Sequence, residues 1–260
     1  APAVAINSLQ ATAGTSTVAT KSNTIYVGTA AGASVIQENQ ATFTSGSVKY
    51  YTKDYISEEM VGNTTGMWSF YGTGAIPNAT AIDDISVKNY NGTSSNTNGT
   101  GMTYASGVRG SGITFDGTDD NITTGVVSSN FISAAQGSIS VWIKPNGSTT
   151  GVDTYAALGQ PIVGYLERYF GIFRTNLNGV SDSIWVTNWD GNEDRISVPY
   201  NTGEWTHIVW VHSGGMLYLY KNGVLAGSTT SGNTSFLTYN LAVGKVNSSQ
   251  YFNGSTDELT

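Results

Sequence analysis

Asp116, Asp119 and Asp120 crowd one five-residue turn, Asp-Gly-Thr-Asp-Asp. Three carboxylates set among turn carbonyls suit a hard, oxygen-seeking cation, and calcium is the first candidate. The plainer reading is that aspartates in Asp-Gly and Asp-Asp turns cap their own backbone. A second acidic turn, Asp190-Gly191-Asn192-Glu193-Asp194, alternates oxygen ligands at Asp190, Asn192 and Asp194. It lacks the calcium loop of about twelve residues and a closing bidentate glutamate, so it fits a metal less well. Trp185, Trp189, Tyr165 and Tyr169 lie close to Asn and Asp residues and could stack on sugar faces. Equally, the chain's 15 tyrosines and 6 tryptophans are enough to stock a β core and its rims with no ligand.

Residues for covalent or acid–base catalysis are scarce. The two histidines, His207 and His212, fall on opposite faces of one strand by parity and do not form a pair. Glu58/Glu59 and Glu193/Asp194 are adjacent in sequence, whereas paired catalytic acids must oppose one another across a cleft. The sequence contains no nucleophile elbow, phosphate loop or His-Glu-x-x-His arrangement. With no cysteine there is no thiolate nucleophile or disulfide framework. These features predict a protein that is not an enzyme.

Charge narrows the partners. Only 11% of the 260 residues are charged, against roughly 25% in an ordinary soluble domain, so Asn, Ser, Thr and Gly must carry solubility. A net charge of −7, with 11 scattered Lys and Arg, argues against nucleic acid or an anionic membrane as partner. No apolar run is long enough for a membrane-spanning helix. Nine Asn-x-Ser/Thr sequons, at Asn63, Asn78, Asn91, Asn98, Asn121, Asn146, Asn233, Asn247 and Asn253, are candidate glycosylation sites. Much of that number follows from composition alone. The opening Ala1-Pro2-Ala3 has the small first residue that signal-peptide or propeptide cleavage leaves.

The elements that must position these groups are strands. Residues 204–227 read as a β-meander: apolar strands at about 204–212 and 216–221 flank a Gly-Gly turn, and an Asn-Gly turn follows at Asn222-Gly223. Bulky residues on both faces predict strands central in their sheet and covered on both sides. Ser138 to Ile143 alternates, which sends Ile139, Val141 and Ile143 to a core. Other strands are expected at 66–71, 111–116, 121–124, 155–158, 168–174, 182–187, 195–198 and 240–244. The polar stretch from Gly72 to Gly101 is expected to be a surface excursion with a short strand near Ile85–Val87. Residues 1–60 read as a separate β-hairpin extension, or the end of an upstream module, with a hairpin at 24–28 and 34–37. A helical turn is expected over 53–64. Many short strands with frequent turns predict an all-β sandwich or jelly roll.

Several motifs in this order resemble a family. They are Met67-Trp68-Ser69-Phe70, Gly112-Ile113-Thr114-Phe115-Asp116-Gly117, Ser138 to Pro145, Gly203-Glu204-Trp205-Thr206, Leu219 to Val224, and Phe252-Asn253-Gly254-Ser255-Thr256-Asp257-Glu258-Leu259. Together they are similar to concanavalin A-like, laminin-G-like jelly rolls over residues 66–260. The resemblance implies an all-β jelly-roll sandwich and a calcium ion near the rim loops, with Asp257 and Glu258 as possible helpers. It also implies a long outer strand after Asp-Glu-Leu, so an assembly partner or a continuation of the chain is expected to fill that position. The family spans lectins, adhesion modules, hydrolase accessory domains and architectural pieces. The expected function is an extracellular structural or adhesive component of a cell- or virion-surface assembly, built from other, identical subunits. The alternatives are a calcium-assisted carbohydrate-binding module and a non-catalytic accessory region of a larger secreted hydrolase.

Overall fold

In the computed structural model the chain divides into two compact units, Ala1–Thr64 and Thr65–Thr260. The structure describes residues 25–27, 35–37, 64–86, 88–97, 101–127, 136–147, 160–165, 170–175, 183–189, 193–232, 240–245 and 251–260. In the first unit, β1 (Ile25–Val27) and β2 (Val35–Gln37) pair antiparallel with Tyr26 opposite Ile36, which is the expected hairpin. The helical turn anticipated at 53–64 and the strand at 155–158 lie outside the described residues.

The second unit holds β3 (Gly74–Ala75), β4 (Ala81–Ile82), β5 (Gly92–Ser95), β6 (Thr103–Ser106), β7 (Ser111–Asp116), β8 (Asn121–Val127), β9 (Gln136–Pro145) and β10 (Gln160–Tyr165). They are followed by β11 (Phe170–Thr175), β12 (Ser183–Trp189), β13 (Glu193–Pro199), β14 (Thr206–Ser213), β15 (Met216–Lys221), β16 (Val224–Thr230), β17 (Asn240–Val243) and β18 (Asn253–Asp257). Sheet I runs β13-β12-β11-β10-β17-β8-β5-β4 and sheet II runs β16-β15-β14-β9-β18-β7-β6-β3. All pairings among the described residues are antiparallel, and the two sheets make the expected jelly-roll sandwich.

The core follows from alternation. On β9, Ile139, Val141 and Ile143 are buried while their neighbours are partly exposed, and β14 alternates in the same way through Ile208 and Trp210. Trp210 ties the layers together. It is fully buried in sheet II, its Nε1 donates to the carbonyl of Thr187 in sheet I at 3.1 Å, and its ring lies 5.4 Å from that of Phe170. Losing a side chain of this size from a packed core costs about 3–5 kcal/mol.

Three expectations change. First, the meander is neither central nor covered on both faces. Only one face of β14 and β15 is fully buried, and β16 is the outer strand of sheet II. Its turns are as expected: Gly214, Gly215, Asn222 and Gly223 all have positive φ, the backbone that tight hairpins require. Second, the Gly72–Gly101 segment is not a surface excursion. It supplies β3, β4 and β5, and Ile76, Ile82, Asp84, Ile85, Ser94 and Asn96 are buried, because backbone pairing and buried hydrogen bonds serve its polar groups, Asn96 Oδ1 excepted. Ile85 sits in an irregular turn, not a strand. Third, residues 66–71 form no strand; Trp68 makes an isolated bridge to Leu259. Thr260 exchanges two backbone hydrogen bonds with Ser140, each 2.8 Å, so the residues after Asp257-Glu258 continue the edge of β9.

Candidate metal centre at the β7–β8 turn

β7 belongs to sheet II and β8 to sheet I, so the five residues from Asp116 to Asp120 carry the chain from one sheet to the other. The turn needs an αL residue, which Gly117 provides at φ 85°. Within it, Thr118 N donates to Asp116 Oδ1 at 2.7 Å and Asp116 N donates to Asp120 Oδ2 at 2.9 Å. Backbone capping, the plainer reading of these aspartates, therefore does occur. It uses one oxygen of each carboxylate concerned. Thr97, on the crossover from β5 to β6, donates its hydroxyl to Asp119 Oδ2 at 2.5 Å.

What capping leaves over is the informative part. Asp116, Asp119 and Asp120 each direct a carboxylate oxygen to one place, all within 4.8 Å of one another. Asp120 is fully buried, and its Oδ1 has no hydrogen-bond partner. Burial, with the negative charges of Asp116 and Asp119 adding to it, pushes the Asp120 carboxyl up to about 6, against the opposing effect of the Asp116 N–H. Gly101 closes the other side. At φ 121°, a Cβ there would lie 2.4 Å from Asp116 Oδ2 and 2.9 Å from Asp120 Oδ2, so only glycine lets the backbone come this near the carboxylates. An all-oxygen donor set with an orphaned buried oxygen fits a hard cation.

The family-implied helpers lie elsewhere. Asn253 pairs with Asp116 and Thr256 with Ile113, which puts Asp257 about 13 Å along the strand from the cluster. There, Asp257 Oδ2 accepts from Val108 N at 2.8 Å and Arg109 N at 3.1 Å, and Oδ1 accepts from Glu258 N at 2.8 Å. It pins the β6–β7 turn. Burial raises the Asp257 carboxyl; for Glu258 burial is the main cause and the Asp257 charge adds to it.

Trp185 is buried beneath the Arg195 guanidinium, which stands 4.3 Å from its ring, so it offers no open face to a sugar. Tyr169, Asp190 and Asn192 lie outside the described residues, as do the side chains of Tyr165 and Trp189. Asp194 opposes Asn188 in the β12–β13 ladder. The histidines separate by parity. His207 faces outward, bonded through Nε2 to Ser140 Oγ at 2.8 Å and stacked on Trp142, while His212 is buried; burial lowers both imidazoles. Asn78, Asn91 and Asn146 are exposed sequons, Asn121 and Asn253 are partly buried in strands, and Asn63, Asn98, Asn233 and Asn247 lie outside the described residues.

Sequence reasoning missed Asp84, Thr97 and Gly101. Asp84-Ile85-Ser86 carried a usable signal, since an aspartate two residues before a serine favours an Asx turn. Thr97 and Gly101 carried none, because their contacts with the cluster are long-range.

Comparison with known proteins agrees with this fold. A family model described as the concanavalin A-like lectin/glucanases superfamily matches residues 116–260. No curated protein matches the chain in sequence. Among solved structures, the botulinum neurotoxin type G receptor-binding domain is similar at TM-score 0.51 and 15% identity, over 75% of this chain and 46% of that one. Trypanosoma rangeli sialidase is similar at TM-score 0.51 and 12% identity, over 75% of this chain and 29% of that one. Domain 4 of AbnA, a GH43 extracellular arabinanase from Geobacillus stearothermophilus solved with arabinotriose, is similar at TM-score 0.45 and 20% identity, over 72% and 92%. This chain thus spans under half of the neurotoxin domain and under a third of the sialidase. The two-sheet architecture and the match over more than half of the sequence make the chain a member of the concanavalin A-like lectin/glucanases superfamily.

Proposed function

We propose that the Thr65–Thr260 unit is a non-catalytic carbohydrate-binding module whose binding rim is organised by calcium. The observation that carries this reading is the gathering of one carboxylate oxygen each from Asp116, Asp119 and Asp120 within 4.8 Å of one another, in a cluster where the buried Asp120 keeps its Oδ1 unpartnered. Membership of a superfamily of lectins and glucanases supplies the ligand class. A bound cation would neutralise three gathered carboxylates and offer open coordination positions to sugar hydroxyls. The chain's own work is to hold that geometry. Thr118 N and Asp116 N orient two of the carboxylates, Thr97 Oγ1 orients the third, and Gly101 keeps the facing wall thin. The buried carboxylates Asp84 and Asp257 are engaged by backbone N–H groups and serve the fold, not acid–base chemistry. An extracellular setting goes with this reading, since extracellular calcium modules work at about 10⁻⁴–10⁻³ M.

Calorimetric titration of the full chain with calcium should show one site, and binding to neutral glycans on an array should vanish in chelator. Absence of calcium binding, with the same melting temperature in chelator and in millimolar calcium, would sink the reading.

A further inference from the structure

Trp68, Trp185 and Trp210 are buried, whereas Trp142 and Trp205 are partly exposed, and both stand on the outward face of sheet II. Alternation puts them there. Val141 and Ile143, on either side of Trp142, point into the core, and Thr206, next to Trp205, is buried opposite Ile143. The two indoles are neighbours. Asp257 pairs with Trp142 between β18 and β9, and Trp205 Cη2 and Asp257 Cβ lie 3.4 and 3.3 Å from the point that a Cβ on Gly112 would occupy. The Trp205 indole therefore reaches the β18–β7 pair, alongside Trp142 and Asp257. Trp142 also stacks on His207, with ring centroids 5.0 Å apart and planes at 30°. A hydrogen bond of 2.8 Å between His207 Nε2 and Ser140 Oγ fixes that ring, and burial lowers its imidazole, so it is neutral at pH 7. Asp257 puts no oxygen at the surface, because it is fully buried and accepts three backbone N–H groups. Glu204, beside Trp205, accepts from Asn201 Nδ2 at 2.8 Å.

This aromatic platform is continuous with the metal turn. On β7 the alternation that sets Ile113 and Phe115 in the core turns Gly112, Thr114 and Asp116 outward. The strand thus leads from the tip of Trp205 to the first carboxylate of the cluster over about 13 Å. Midway, Thr114 Oγ1 and Ser255 Oγ are hydrogen-bonded at 2.8 Å, and Lys144 stands opposite Ser255. Flat indole rings beside hydroxyls and an ammonium complement a pyranose, which presents apolar C–H faces within a rim of hydroxyls.

The geometry points to a neutral oligosaccharide that runs from the cation turn across Thr114 and Ser255 onto Trp205 and Trp142, the two indoles stacking on successive sugar rings. This rests on the calcium-organised carbohydrate reading and adds where the ligand lies and what it is. A span of about 13 Å exceeds one pyranose ring, so the ligand is a chain and not a single sugar. The net charge of −7 disfavours a polyanionic one.

Affinity electrophoresis of the full chain, in calcium-containing gels cast with soluble neutral polysaccharides (hydroxyethylcellulose, xylan, arabinan and mannan), tests this. At least one of these should retard the wild type. Trp205→Ala and Trp142→Ala should each bind that polysaccharide at least about tenfold more weakly while their calcium titrations stay unchanged. Tyr218→Ala, which removes an aromatic from the same face two rows away, should be retarded as the wild type is. If both tryptophan variants are retarded like the wild type, the platform is refuted and the calcium-dependent carbohydrate reading stands. Retardation that depends on the tryptophans but persists in chelator also overturns the proposal, because the ligand then does not reach the cation. A wild type that binds calcium and none of the four polysaccharides removes the carbohydrate function itself. Should the alanine variants not fold, hydroxyl-radical footprinting of the wild type gives a second reading. The retarding polysaccharide should protect Trp142 and Trp205 from oxidation in calcium but not in chelator, and equal oxidation with and without it refutes the platform.

Discussion

Asp84 and Asp120 are both fully buried carboxylates, and their surroundings are opposite. Asp84 accepts four hydrogen bonds, from Met67 N and Ser86 N on Oδ1 and from Ser86 Oγ and Tyr90 N on Oδ2, each within 2.7–2.8 Å. It fastens residue 67 to the 84–90 loop and has nothing left to offer a ligand. Asp120 accepts one such bond on Oδ2, keeps Oδ1 unpartnered and sits against two further carboxylates. Buried charge is tolerable when donors surround it, as at Asp84. Where they do not, the site is either protonated or waiting for a cation. The difference separates an aspartate whose hydrogen-bonding capacity is filled by the fold from one that keeps an oxygen unpartnered, without reference to any relative.

Removing the structural member should have the largest effect. Asp84→Ala strands three backbone N–H groups and a serine hydroxyl in the interior, which is expected to cost about 4 kcal/mol or more. For a unit of this size that lowers Tm by roughly 10–15 °C. Calcium should still raise the Tm of the folded fraction, since Asp84 takes no part in the cluster. Thermal melts with and without calcium check both halves, and a variant as stable as the wild type would dissolve the contrast.

Asp120→Asn should do the reverse. The amide keeps the carbonyl acceptor for Asp116 N and abolishes the charge, so calcium affinity is lost while the metal-free protein gains stability at neutral pH. A carboxyl moved from 3.8 to about 6 accounts for roughly 3 kcal/mol of that gain at most. The sign follows from the raised value. The folded state holds the Asp120 proton more tightly than the unfolded state, so this contribution is full below 3.8 and lost as pH rises through about 6. Partly buried His207 and buried His212 oppose it, because their lowered values give stability that is present above 6.5 and lost as pH falls. Comparing Asp120→Asn with the wild type cancels the histidines. The stability difference between them in chelator should widen from pH 4 to pH 7 and close again when the wild type is given calcium.

The acidic cluster could be read in the sequence because its three carboxylates share one turn, where spacing alone puts them together. Its supports could not. Thr97 and Gly101 reach it from the β5–β6 crossover, inside a stretch whose Asn, Gly, Thr and Ser content suggested open surface. Polarity misled there because backbone pairing and buried hydrogen bonds, including those of Ser94 and Asp84, do the work that apolar side chains do elsewhere. The strands of the meander were legible from their alternation, and the face of Ile208 and Trp210 was correctly set against that of His207. Their place in the sheet was not, since bulky residues on both faces fit a covered central strand as well as an open outer face near an edge. Nor could local pattern show that Asp257, three residues before the end of the chain, bonds Val108 and Arg109 rather than joining Asp116.

A smaller perturbation tests whether the cluster is shaped from outside its own turn. In Gly101→Ala the new methyl group, built 2.4 Å from Asp116 Oδ2 on a backbone at φ 121°, must push either the carboxylate or the crossover aside. The fold should survive, because residue 101 lies between strands and outside the core, with a stability cost of about 1–2 kcal/mol. Calcium affinity should fall about tenfold, as expected for a residue that supports ligands without being one. Ala at Gly74, which also has positive φ but has open space around its Cβ, provides the control: a similar backbone penalty and unchanged calcium affinity. If both variants bind calcium as the wild type does, the crossover does not shape the site, and the contrast between Asp84 and Asp120 reduces to the local chemistry of one turn.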